Sequence, residues 1–335
     1  QNISYADAKA GRVVFAAVVK NPTTRATPIV RVSLQNDQTK KGEEAIVVIE
    51  QTLRIVVVGP RTVLPLVPPF TAERPHPENT TVLEVYLTRG GQPVANHGIR
   101  LTSDYEDGSG GHDHVSPRRP RSFENYGHFV STRTNQRGNP ITDVTGNDGR
   151  AAFGYIASQF GDRMKFRVES SEKPLLWDTT SILERVPDLV ALGPGQQYEL
   201  VGGPDNHSGT NDPCRDASSL KSLHFRNHYG TSALVQAIRN IAASYDSLNP
   251  GVRLRINDMS LEYGGLFDTG NRWKSGIDEG HAEHRIGENA DIGFRGIDVA
   301  NRCLKLKRER LLRAIEAHTH GRVRTHYDHY HIRVR

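Results

Sequence analysis

The sequence predicts a multidomain protein: all-β sandwich modules over the first two-thirds, then an α+β domain with a small antiparallel sheet. Three observations carry that expectation. The chain has 335 residues, more than one ordinary core serves. Short runs rich in valine and isoleucine, separated by polar turns, fill it as far as about Val168. Beyond that point apolar residues recur at helical spacing in two stretches, with alternating segments between them.

Taken in order, Arg12 to Val19, Pro28 to Leu34, Glu44 to Ile49 and Thr52 to Val58 read as strands of a first sandwich-like module over residues 1–63. Residues 64–79 hold Pro65, Pro68, Pro69, Pro75 and Pro77 and read as a stiff linker. A second module is expected over 80–185. Thr81 to Thr88 alternates, Gly90-Gly91 turns, and Gly98 to Thr102 resumes the strand. Asp104 to Gly138 is a polar excursion too long for a hairpin turn. Asn147-Asp148-Gly149 is a tight turn before strands at Ala151 to Ile156 and Arg163 to Glu169.

The run Gly91-Gln92-Pro93-Val94, then Thr142-Asp143, Gly146-Asn147-Asp148-Gly149-Arg150-Ala151, Tyr155 and Gly161, resembles a bacterial immunoglobulin-like module of the invasin type. The resemblance implies a spacer or adhesive stalk.

The last domain is expected over 186–335. Leu189 to Leu192 and Tyr198 to Val201 read as edge strands, and Gly202 to Asp216 as a polar loop. Leu234, Ile238, Ile241 and Tyr245 share one helix face, with Thr231 or Ser232 as N-cap and Pro250 beyond the end. Val252, Leu254 and Ile256 alternate as a strand. A second helix is expected from Asp298 to His318, and His329 to Val334 reads as the closing strand.

Histidines concentrate at His281, His284, His326, His329 and His331. Imidazole is the commonest zinc ligand, and carboxylates also bind the ion. Ligands sharing one ion bring their donor atoms within about 3–4 Å. Seven positions along a regular helix would hold His284 and Asp291 about 10 Å apart, and an odd interval on a strand would set them on opposite faces. The chain must therefore fold back, and Gly287, Glu288 and Asn289 supply the freedom. His329 and His331 share one face of a strand while Tyr330 faces away. His326 has the wrong parity and reaches that face only from a bend.

The interval in His281-Ala282-Glu283-His284 excludes the zincin motif, which needs His-Glu-x-x-His. His284-x-x-Gly287-x-x-x-Asp291-Ile292, with His329-x-His331, instead resembles the metallopeptidases grouped with lysostaphin, D-alanyl-D-alanine carboxypeptidases and the hedgehog signalling domain. With His281 before and His326 after, and with Asp258-Met259-Ser260 and Gly264-Gly265, it is similar to penicillin-insensitive murein endopeptidases, over roughly Tyr198 to Arg335. The resemblance implies a zinc ion held by His284, Asp291 and His331, with His329 as base or hydrogen-bond donor. It places His326 in the chemistry or orienting the substrate, and His281 in support. Arg285 or Arg333 could hold a substrate carboxylate; a surface cation is the alternative for each. The implied substrate is peptidoglycan or another D-amino-acid-containing peptide, and the implied setting is periplasmic, secreted or cell-surface. A carboxypeptidase with the same metal site, or an adhesion protein holding zinc without catalysis, stays open.

Glu283 and Glu288 read as exposed turn residues rather than general bases. His112 and His114 invite a second metal site, though a flexible polar loop suits their surroundings better. His224 and His228 stay unassigned. The net charge of +5 favours anionic partners. No helix-turn-helix, zinc-finger or aromatic RNA-binding signature points to nucleic acid; an acidic wall polymer is the other candidate, and since the basic charge is spread along the chain a solvated surface is the alternative. No membrane span is visible, since Leu53 to Phe70 is broken by Arg54, Arg61 and prolines. The chain opens at Gln1 without an apolar leader. Cys214 and Cys303 could bridge in an oxidising compartment, but Cys303 falls in a helical pattern and reads more simply as a buried thiol.

Overall fold

Strand alternation in the sequence builds the first body of a computed structural model that describes residues 51–112, 118–172, 176–201, 214, 224, 226–268, 273, 283–298, 300, 302–319, 323–327 and 329–334. The strands expected at 12–19, 28–34 and 44–49 lie outside the described residues. The elements are β1 (Gln51–Val57), β2 (Thr62–Val63), β3 (Thr80–Arg89), β4 (Gln92–Pro93), β5 (Gly98–Tyr105), helix α1 (Phe123–Tyr126), β6 (His128–Ser131), β7 (Arg137–Gly138), β8 (Ile141–Val144), β9 (Arg150–Ile156), β10 (Asp162–Ser170) and β11 (Trp177–Glu184). They form two sheets. One runs β1-β3-β9-β6-β7, with β4 also on β3; the other runs β2-β11-β10-β5-β8.

Every second residue of β3 is buried, Leu83, Val85 and Leu87 among them. From the other sheet Ile99, Leu101, Met164, Phe166 and Val168 meet them in one core. Each such side chain stabilises the fold by roughly 1.5–3 kcal/mol. Two sheets face to face over a shared apolar layer are a sandwich.

The expected boundary at residue 63 does not hold. β1 pairs antiparallel with β3 over its whole length, from Gln51 opposite Arg89 to Val57 opposite Leu83. Nor is 64–79 a free linker. The Leu64 N–H bonds to Glu78 O, the Leu66 N–H bonds to Ser158 O, and Leu66 is buried. Prolines remove donors from this stretch but leave its carbonyls to accept, and the buried Asn79 amide bonds Leu64 O and Pro65 O. The polar excursion from Asp104 is also partly structured. It supplies β6, whose Phe129 enters the core. Four residues were too short a run for alternation to reveal.

The second body contains β12 (Val190–Ala191), β13 (Tyr198–Leu200), β14 (Tyr229–Gly230), α2 (Ser232–Leu248), β15 (Val252–Ile256), β16 (Asn289–Gly293), β17 (Arg295–Asp298), β18 (Cys303–Lys305), α3 (Arg308–His318), β19 (Val323–Thr325) and β20 (His329–Arg333). A seven-stranded sheet runs β18-β17-β15-β16-β20-β19, with β13 also paired to β15. Leu234, Ile238, Ile241 and Tyr245 of α2 and Leu311 and Ile315 of α3 share one core with Ile256, Ile292 and Ile332 of the sheet. Helix α2 starts at the expected cap, where the Thr231 hydroxyl accepts the Leu234 N–H.

The long helix expected from Asp298 is shorter. A β17–β18 hairpin takes its first part, because the Asp298 carboxylate accepts the N–H groups of Ala300 and Arg302 and so competes with helical bonding. Cys303 therefore lies on a strand, and it forms a disulfide with Cys214, their Cα atoms 4.9 Å apart. The buried-thiol reading is corrected accordingly.

Candidate metal centre

Gly287 makes the reversal that the interval between His284 and Asp291 demands. His284 sits on a single 3₁₀ turn, and Gly287 follows it with φ at +74°, a conformation open to glycine at little cost. Space is a second reason, since a Cβ there would lie 2.3 Å from Leu189 Cδ2. The Gly287 carbonyl accepts the Thr231 N–H at 2.8 Å, which fixes the reversal to the start of α2.

The return strand is β16, and it pairs with β20 so that Asp291 stands directly opposite His331. Asp291 Oδ1 is 2.8 Å from His331 Nδ1, and Oδ2 is 3.5 Å from His284 Nε2. The His284 and His331 rings are nearly perpendicular, 5.0 Å between centroids. One ligand atom from each of His284, Asp291 and His331 lies within 4.8 Å of the others, and all three residues are buried. The Asp291 backbone is pinned on both sides, donating to Asp258 O and accepting from the Asn257 N–H.

Burial alone would raise the Asp291 carboxyl, but His284, His331 and His329 around it hold it well below the usual carboxylate range. For His284 burial favours the neutral ring; the charge of Asp291, with Asp258 and Glu283, outweighs that and raises its pKa.

His329 shares the face of His331, with Nε2 3.4 Å from Asp291 Oδ1 and its side chain a fifth exposed. Tyr330 points the other way and packs on Phe294 at 4.7 Å. His326 arrives from the bend between β19 and β20. Its ring stacks on His329 at 4.6 Å and 8°, and its N–H bonds His329 O.

The remaining residues divide. His281 lies outside the described residues. Arg333 faces Glu288, with nitrogens 2.7 and 3.0 Å from Oε2, so its charge is engaged there rather than offered to a substrate. Glu288 is thus a partner rather than a bare turn residue. Arg285 is half-buried, and its carbonyl accepts the Gly265 N–H. Glu283 is the exposed turn residue that was expected, and it stands beside the donor set. Its Oε2 is 2.9 Å from His331 Nε2, and its Oε1 is 2.7 Å from Arg324. Its place beside His284 was the only available signal. His228 is buried with Nε2 2.9 Å from Val201 O, a structural histidine kept towards the neutral form by burial. His112 is buried too, against Phe160 and Trp273, where a flexible polar loop was expected; His114 lies outside the described residues.

No family model and no curated protein matches the chain. Among solved structures similar to it is the adhesin InvE of Yersinia pseudotuberculosis, with TM-score 0.28 and 11% identity over 42% of this chain and 33% of that one. A conjugative transposon lipoprotein from Bacteroides eggerthii matches with TM-score 0.24 and 11% identity, over 39% of this chain and 95% of that one. A lipoprotein from Bacteroides thetaiotaomicron has TM-score 0.24 and 8% identity, over 42% of this chain and 85% of that one. At these values the site is read from its own residues.

Proposed function

We propose that the C-terminal part is a zinc-dependent peptidase cutting peptide bonds in peptidoglycan, in the manner of a murein endopeptidase. One observation carries this reading: two distant segments bring His284, Asp291 and His331 into a single buried donor set. Two imidazoles and a carboxylate suit zinc, and three protein ligands with water as the fourth are the pattern of catalytic sites. The chemistry that zinc supplies when held this way is activation of water and polarisation of an amide carbonyl.

The chain's own groups supply orientation and proton handling. Glu283 sets a carboxylate beside His331, its Oε2 2.9 Å from Nε2, as carboxylates stand beside metal-bound histidines. His329, partly exposed and stacked on His326, stands where a proton can pass to or from the reacting amide.

The disulfide supports a setting outside the cytoplasm. Among the described residues no helix is long and apolar enough to cross a membrane. The positive net charge suits an acidic wall polymer. The immunoglobulin-like reading of the sandwich gives it the part of a spacer at the wall.

The burial of all three donors favours a second reading, a surface-binding protein in which zinc is structural. Digestion of purified cell walls separates the two, with products identified by mass spectrometry. The peptidase releases muropeptides, a chelator stops it, and His329→Ala lowers turnover while zinc stays bound. Zinc bound without any release of peptides would leave only the structural reading.

A further inference from the structure

The joint between the two bodies holds a second buried donor set. His112 follows a 3₁₀ turn, Ser109–Gly111, that leaves the sandwich after β5. His224 and Asp268 belong to the C-terminal body. One ligand atom from each of the three lies within 4.8 Å of the others, and all three are buried. Asp268 Oδ1 is 3.5 Å from His112 Nδ1 and 3.3 Å from His224 Nε2. The histidine rings stand at 87°, their centroids 5.3 Å apart.

The groups behind these donors aim them inward. His224 Nδ1 lies 3.2 Å from Gly111 O, where its N–H donates, and Nε2 faces Asp268, 2.5 Å from its main-chain O and 3.3 Å from Oδ1; a bound cation would take the place of the contact to the main-chain oxygen. Asp268 Oδ2 accepts the Trp273 N–H at 3.0 Å, leaving Oδ1 as the oxygen between the two rings. A histidine anchored through its far nitrogen to a carbonyl, and a carboxylate anchored by a backbone N–H, are the supports that metal ligands carry. Phe160, Leu266 and Trp273 form an apolar cluster beside the set, which strengthens binding of a charge by excluding water.

We infer that His112, His224 and Asp268 bind a second zinc ion, which clamps the sandwich to the C-terminal body. Its donor set, two imidazoles and one carboxylate, selects zinc or a closely related borderline cation over calcium or magnesium. The site is distinct from the His284 centre and does not rest on the peptidase reading. The two sets are separate groups of donors, and Phe267 packs against a ring of each, its centroid 5.1 Å from His224 and 6.5 Å from His284. The clamp acts where the backbones already meet. The Leu266 N–H bonds Gln159 O, the Val186 N–H bonds Tyr263 O, and a Cβ on Gly265 would lie 2.4 Å from Gly161 N.

The test is a zinc count by mass spectrometry on the full chain after loading with Zn²⁺ and removal of excess. Wild type is expected to hold two ions, His112→Leu one, His331→Ala one, and the double variant none. Asp268→Asn, which keeps the shape of the side chain, serves if His112→Leu does not fold. Hydrogen exchange gives a second readout. With free zinc at about 100 times its Kd, opening of the Leu266 and Val186 amides should slow by about a hundredfold in His331→Ala and not in the double variant. One ion in wild type that His112→Leu and Asp268→Asn both retain overturns the clamp. One ion lost in His112→Leu but kept in His331→Ala upholds the clamp and sinks the peptidase centre instead.

Discussion

Glu184 is fully buried at the end of β11, inside the sandwich, and burial pushes its carboxyl up from 4.5 to about 7. Three donors oppose that shift: the Ser158 hydroxyl at 2.6 Å, the Tyr155 hydroxyl at 2.8 Å and the Ser158 N–H at 3.1 Å. The neutral acid has a place for its proton, because the Ser158 hydroxyl can turn to Phe160 O at 3.3 Å and accept from Glu184 instead. A group whose pKa is raised on folding binds more protons folded than unfolded. Its stabilising contribution is therefore complete below about 4.5 and lost as pH rises through about 7. At 1.36 kcal/mol per pKa unit, the loss across that window is roughly 3 kcal/mol. Glu184→Gln removes the titration and keeps the shape, since an amide can accept from Tyr155 and the Ser158 N–H and donate to the Ser158 hydroxyl. The assay is hydrogen exchange on sandwich peptides between pH 5 and 8, corrected for the intrinsic rate, with wild type compared to Glu184→Gln. Subtracting the variant cancels the histidines that titrate in the same range. Wild type should weaken relative to the variant as pH rises. Parallel pH profiles would refute the buried-acid argument.

Other perturbations test separate parts of the molecule. Cys214→Ser with Cys303→Ser opens a loop of 89 positions, and chain entropy sets the expected loss at roughly 4–5 kcal/mol in urea unfolding; no change would mean the bridge adds nothing. Arg119 and Asp162 form a fully buried ion pair at 2.5 Å, so Arg119→Met should cost about 3–5 kcal/mol, and adding Asp162→Asn should recover part of it. If the double variant is no better than the single one, Asp162 is not the stranded charge. Glu283→Gln should weaken zinc at the His284 centre about 10–100-fold in a chelator competition, because the carboxylate charge 2.9 Å from His331 is lost. An unchanged affinity would make Glu283 a surface partner of Arg324 alone.

The legible parts of the fold and of the candidate site were those that a local rule fixes. Period-two alternation marked β3, β10 and β15, and a capped 3.6 period marked α2 from Thr231. Parity on a strand placed His329 with His331 and turned Tyr330 away, and the interval from His284 to Asp291 demanded the bend that Gly287 provides. What stayed hidden depends on contacts between distant residues. Nothing near Thr52 says that its strand pairs with β3, and nothing near Pro65 says that its carbonyl accepts from Asn79. Asp298 diverted a helical pattern through its own side chain, and Cys303 found its partner 89 positions away. His112 read as part of a flexible polar loop because its neighbours in sequence are polar, whereas its neighbours in space are Phe160 and Trp273.

The pairing of β1 with β3 bears on where this protein can be divided. A polypeptide begun at Leu64, the break that proline content invites, would lack Gln51–Val57 and leave most of one side of β3 with bare N–H and C=O groups. Such a rim recruits strands from other molecules and drives clumping. Soluble halves should thus come from cuts ahead of Gln51, with the leading strand carried along.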